Sequence, residues 1–250
     1  MLISFFEEFP NENNFRKLKL VRGKTNLFLA ARSLKEFYEV KKKIKDKSKV
    51  KKWVYWPILE KKEGYWISPF SRRQALLRIF GELEGKKMAV MLDLELPTTK
   101  NVWLYAFQSL NFGLNKRLIK EFIETYKGDI YLAEYYPEGD SKENILQRLG
   151  LHYKNSNNIK IIKMMYHSLH PFKESFVKKQ LEHGVKEWGE NYIIAYGAIA
   201  EGISGRERIL SAKQLERDLN LAKQAGIEEV IIFRLGGLNK EYAKVIEQFS

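Results

Sequence analysis

Apolar runs of strand length alternate with helix-length segments eight times along this chain, and few folds can use such a pattern. The runs cover residues 2–9, 26–31, 53–59, 87–97, 129–137, 159–166, 192–199 and 229–235. Helical periodicity fills residues 34–47, 71–82, 116–126, 173–188, 211–226 and 239–249, a stretch opening at Ser141, and a short turn at 15–20. Residues 101–112 read as a helical or irregular excursion. Several boundaries carry their own signals. Ser33 with Glu36, and Ser211 with Gln214, have the spacing of capping boxes, Ser71 and Asn239 stand where helices should open, and Gly226 stands where one should close. No Gly-rich phosphate fingerprint follows the first run, which argues against a dinucleotide fold. The expectation is a (β/α)8 TIM barrel, with residues 1–250 forming a single domain, since barrels of this class commonly use about 250 residues.

In such a barrel the chemistry lies at the C-terminal ends of the strands. The fourth run, Met88-Ala89-Val90-Met91-Leu92-Asp93-Leu94-Glu95-Leu96-Pro97, constrains that end most. Side chains on a strand repeat every two residues, so Asp93 and Glu95 share a face, with Cα atoms roughly 6.5–7 Å apart. Pro97 ends the ladder because it has no N–H. Two acids beside an otherwise apolar layer are costly unless they are partnered or used. Read at the same rim are Glu7 and Glu8, Arg32, Trp56, Tyr65 and Trp66, Glu134 with Tyr135 and Tyr136, Tyr166, His167, Glu201 and Arg234. This is an acidic, aromatic mouth. Phosphate would be repelled from it, whereas a sugar can lay its C–H face on a ring and offer hydroxyls to the acids. Trp53 and Tyr55 are read as mostly core, while Tyr65 and Trp66 flank Gly64 in a polar loop and are read as a binding surface.

Asp93-Leu94-Glu95-Leu96-Pro97 resembles the end of the fourth-strand motif of family 18 glycoside hydrolases, and Met164-Met165-Tyr166-His167 is similar to that family's sixth-strand Met-x-Tyr-Asp. The resemblance implies a chitinase-like barrel acting on or binding an N-acetylated sugar chain. Glu95 would be the proton donor, Asp93 would orient the acetamido group and Tyr166 would hold its oxygen, the substrate's own acetamido carbonyl attacking the anomeric carbon. The catalytic set is then Glu95, Asp93 and Tyr166. Substrate binding falls to Glu7, Trp56, Tyr65, Trp66, Glu134, Tyr136, His167, Glu201 and Arg234. Met88 and Met91 replace the motif's two earlier aspartates, His167 replaces the sixth-strand aspartate, and Phe233-Arg234 stands where the family carries a tryptophan.

Two other readings compete. Glu95, Glu134, His167 and Glu201 come from consecutive strand ends and could hold a divalent ion, as in isomerase-like barrels. A sugar-binding barrel without turnover needs neither acid to titrate. The preferred reading calls for no cofactor and no metal. His170 is placed in a loop, and His152 and His183 are placed on the surface.

The net charge of +13 raises the question of nucleic acid. Lys41 to Lys52 carry much of it and read as the solvated end of a helix and its loop, phosphate tracking being the other reading. The abundance of Lys and Glu also suits a thermophilic, ion-pair-rich surface. With no cysteine, disulfides and thiolate chemistry are excluded. No apolar run reaches the ~18–20 residues a bilayer requires and no signal pattern opens the chain, so no membrane partner is expected and a cytoplasmic location is.

Overall fold

The computed structural model describes residues 1–97, 110–135, 140–153, 159–203, 205 and 207–249. Eight parallel strands close into one ring in chain order: β1 (Leu2–Glu7), β2 (Thr25–Ala31), β3 (Val50–Pro57), β4 (Ala89–Leu94), β5 (Ile130–Tyr135), β6 (Ile159–Met165), β7 (Tyr192–Gly197) and β8 (Glu229–Phe233). The expected (β/α)8 barrel is the fold. β2, β4, β7 and β8 are buried along their whole lengths, as continuous apolar runs with a core on each side must be. Among the described residues the helices are α1 (Glu12–Phe15), α2 (Leu34–Lys43), α3 (Arg73–Leu83), α4 (Phe112–Thr125), α5 (Asp140–Arg148), α6 (Glu174–Trp188), α7 (Ala212–Gln224) and α8 (Lys240–Glu247). None of them is long and apolar enough to cross a membrane.

The predicted caps divide into two groups. Ser211 and Gln214 form the full capping box at the start of α7, Asn239 caps α8 through the Tyr242 N–H, and Gly226 takes a positive φ of 77° just past α7. Ser71 does not cap α3. Its hydroxyl donates instead to the Trp66 carbonyl at 2.6 Å, and the helix opens at Arg73. α2 stops at Lys43, short of the expected residue 47, and α5 opens at Asp140, one residue before Ser141. Most of the predicted 101–112 excursion lies outside the described residues.

The chain forms two compact units, residues 1–30, 39–54 and 161–250 in one, and residues 31–38 and 55–160 in the other. In the first, β8 pairs with both β1 and β7, and β1 with β2. Its interior face is aromatic: Phe6 meets Phe28 edge-on at 5.3 Å and Phe233 at 6.3 Å, and Phe233 meets Tyr166 at 5.8 Å. Gly197 makes room for this, because a Cβ there would lie 3.0 Å from the Phe233 Cβ and 3.3 Å from the Tyr166 ring. At the other end of the same strands the Glu229 carboxylate accepts from the Ser4 hydroxyl at 2.6 Å and the Asn26 amide at 2.7 Å, joining three buried polar groups from β8, β1 and β2.

In the second unit, β4 pairs with β5, and Phe37 of α2 packs on Tyr55 of β3 at 5.3 Å. Phe80 of α3 stacks on Phe122 of α4 at 4.3 Å, and Phe122 on Tyr126 at 4.9 Å.

Candidate functional site

Asp93 is the second-last residue of β4 and is buried, whereas Glu95 lies just past the strand and is half-buried. Residues in register on adjacent strands share a face. Met91 is level with Tyr131, Asp93 with Ala133 and Leu94 with Glu134. Asp93 therefore leaves the sheet beside Met91, Tyr131 and Ala133, and Glu134 leaves from the opposite face. The carboxylate of Glu134 meets the His152 Nδ1 at 2.7 Å, with both side chains sealed from solvent. His152 belongs to the segment after α5, which marks the Glu134 face as the helix side and the Asp93 face as the barrel interior. The expectation that Glu134 joins the β4 acids in one mouth thus gives way to a buried pair behind β5. The expected surface position of His152 is also corrected, since its ring is buried. Beside this pair, burial and the Glu134 charge push the Tyr153 hydroxyl above its usual range.

The loop after β3 folds back onto the end of β4, where the Ile67 N–H donates to the Asp93 carbonyl at 3.1 Å. Trp56 and Trp66 lie nearly parallel at 5.9 Å, and Tyr65 meets Trp66 edge-on at 4.3 Å. Tyr65 and Trp66, expected to present a surface, are only 5% and 7% exposed. The reason is local: Glu60 and Glu63 form a capping box around the turn Lys61–Glu63, Gly64 adopts φ 121° and Tyr65 φ 66°, and this path turns both rings inward. The Trp66 indole N–H is buried with no hydrogen-bond acceptor among the described residues, an uncommon state for such a donor. Trp53, read as core, is half-buried, with the Lys41 ammonium 5.2 Å above its ring.

In the other unit, Glu7 is fully buried and heavily bonded. It accepts from the Phe9 N–H at 2.9 Å, the Asn14 amide at 3.0 Å, the Gly236 N–H at 2.7 Å and the Arg234 guanidinium at 3.1 Å. Burial pushes the Glu7 carboxyl above its ordinary value, and Arg234 and the three donors oppose that shift without cancelling it. Arg234 also donates to the Glu201 carbonyl at 2.9 Å and lies 4.7 Å from the Phe9 ring centre. Glu7 and Arg234 therefore clasp the strand-end loops together, and Glu201 is held there by its backbone while its side chain is exposed. Glu8, on the opposite parity and so the interior side, accepts from the Ile203 N–H at 3.1 Å.

Tyr166 is half-buried on the Phe233 side. His167, one residue on, points the other way, and its Nδ1 lies 2.9 Å from Asp218 of α7. Asp218 in turn helps burial push the Tyr196 hydroxyl well above its usual range. The proposed metal ligands Glu134 and His167 are thus both engaged on the helix side. Among the described residues no three His, Asp or Glu side chains gather as a metal cluster. Tyr136 lies outside the described residues, His170 lies in a loop after β6 as expected, and His183 is on the surface of α6. Asn14 and Asp218 were not singled out in the sequence, and His152 was read only as a surface residue. Strand parity carried a signal only for Glu134 and His167, the partners of His152 and Asp218, because a residue adjacent to an interior one must meet the helices.

No known family profile matches the chain and no curated protein matches it in sequence. Solved structures do share its fold. The glycoside hydrolase domain of PgaB (BpsB) from Bordetella bronchiseptica aligns with a TM-score of 0.57 at 9% identity, over 99% of this chain and 98% of that one. A GH18 chitinase from Pseudoalteromonas aurantia aligns at 0.55 and 9%, over the full length of both chains. A 3-keto-D-glucoside 4-epimerase, YcjR, from E. coli aligns at 0.52 and 13%, over 100% of this chain and 98% of that one. At such identities the likeness defines the class of fold, a TIM barrel of the kind that glycoside hydrolases and sugar epimerases use.

Proposed function

We propose that this barrel acts on a glycan as a glycosidase-like hydrolase, with Glu95 as the proton donor and Asp93 as its partner. The observation that carries the reading is the end of β4: a buried interior-face aspartate followed, two residues on, by a glutamate that solvent reaches. A general acid has to be accessible to the leaving oxygen, while the group that orients the acetamido function gains from being desolvated and fixed. Met91, fully buried on the same face, removes water from beside Asp93 but supplies no deeper proton relay. Likeness to glycoside hydrolases of known structure supports the reading. The metal-dependent alternative is disfavoured, because it needs Glu134 and His167 turned inward and each is bonded behind its strand.

The test is incubation with N-acetylglucosamine oligomers and N-acetylated glycans, reading new reducing ends. Cleavage is expected, falling at least about 100-fold in Glu95→Gln with the fold unchanged, and Tyr166→Phe is expected to weaken it separately. Binding without cleavage reduces the protein to a sugar-binding barrel. Turnover that survives Glu95→Gln but not chelation replaces the proposal with metal chemistry.

A further inference from the structure

Two short stretches, residues 16–24 and 41–52, hold thirteen of the lysines and arginines and one acid, Asp46, so they carry twelve of the molecule's thirteen net positive charges. The remainder of the chain is close to neutral. The first stretch joins α1 to β2, and the second runs from the last turn of α2 into the start of β3, so both lie at the N-terminal ends of strands, the pole opposite the strand ends of Glu7 and Glu8. They are tied together, as the Lys49 ammonium donates to the Arg22 carbonyl at 3.0 Å. Two depressions run beside this seam. One, of about 80 Å³, lies among Arg16, Lys19, Lys43 and Lys45, with the acids Glu12 and Asp46 at its wall. The other, of about 750 Å³, is lined by Lys19, Arg22, Lys240 and Lys244, with Glu247 paired to Arg22. Lys19 belongs to both, so the two depressions adjoin along one cation-rich track.

We propose that this track binds the phosphate backbone of nucleic acid without reading its sequence. A surface adapted only to heat would balance its lysines with acids, whereas here only Glu12, Asp46 and Glu247 line the depressions against the thirteen cations of the two stretches. Of the apolar residues of the two stretches, Leu18, Val21, Ile44 and Val50 are buried and Leu20 is half-buried, which leaves little to insert into a bilayer. A concave track fits a narrow charged ridge better than a flat headgroup plane. Trp53 is half-buried under Lys41 and Phe15, beside the smaller depression, is buried, so neither ring is a platform for base stacking, and lysines act as point charges that follow phosphates.

The test is anisotropy of a short labelled DNA duplex with the intact protein across salt. Contact with about four phosphates gives a log–log slope of about −3.6, and affinity then falls roughly 150-fold between about 50 and 200 mM salt. The triple variant Lys19→Glu, Lys43→Glu, Lys45→Glu should weaken binding at least about 30-fold and flatten the slope by about 2.7 units. A matched variant elsewhere, Lys179→Glu, Lys186→Glu, Lys213→Glu, has the same net charge and should bind nearly as the parent. All six side chains are exposed, so neither variant disturbs packing. Equal loss in both variants, no duplex binding at about 50 mM salt, or capture by anionic vesicles or heparin but not by duplex would each overturn the proposal.

Discussion

The carboxylates of this chain differ less in kind than in the face from which they leave a strand. Asp93 and Glu134 sit on neighbouring strands one register step apart, and that step puts one in the interior and the other against the helix layer. Because Glu134 and His152 are buried together, removing one partner strands the other away from water. His152→Leu should cost about 3–4 kcal/mol, and a double-mutant cycle with Glu134→Gln should recover part of it, both read from denaturant midpoints. Glu63 behaves differently. Burial raises its carboxyl, but the Arg78 fork at 3.1 and 3.2 Å and the Glu60 N–H outweigh this and hold it below the ordinary 4.5. A carboxyl held below its unfolded value adds stability above that value and loses it as pH falls through the folded one. Glu63→Gln should therefore cost about 1 kcal/mol at neutral pH, since Arg78 is partly screened by solvent, and the difference should close below about pH 4. Of these residues the sequence made Asp93 and Glu95 legible through their spacing, but not the His152 and Asp218 pairings, which depend on helices brought together only by the closed fold.

At the scale of elements, the loop between β3 and α3 controls the end of β4. Its backbone meets Asp93 through Ile67, its Trp66 stacks on Trp56, and Ser71 closes it onto Trp66. The strands and most helices were legible because apolar runs and capping pairs are local signals. The loop was not, because a glycine between polar residues reads equally as an exposed tip or as an inward turn, and only the left-handed path at Gly64 and Tyr65 decides between them. An alanine at Gly64 would meet the Ser71 hydroxyl at 2.9 Å in a conformation that L residues rarely adopt. Gly64→Ala should lower stability by about 2 kcal/mol, measured as a shift in thermal midpoint. If the loop holds the donor in place, turnover on any glycan cleaved by the parent should fall in this variant while the pH profile keeps its shape.

For the whole molecule, closure of eight strands and the separation of charge have different origins. Closure follows from alternation along the entire chain and needs no single residue, which is why it was the most legible property. The charge separation was visible in composition, but its meaning depends on Lys49 drawing two distant stretches to one seam. Thirteen cations gathered within two neighbouring connections repel one another in the folded state more than in an expanded chain. Added salt shortens the range of that repulsion, the Debye length falling to about 10 Å at 0.1 M, so the folded state should gain. Raising salt from about 20 to about 200 mM should lift the thermal midpoint by about 2–4 °C, a gain of about 1 kcal/mol for a chain of this size. Lys45→Glu should raise stability at low salt and shrink the salt response, because it places an acid within the densest run. A midpoint that falls with salt would show instead that attractive ion pairs across the rest of the surface outweigh the repulsion at this pole.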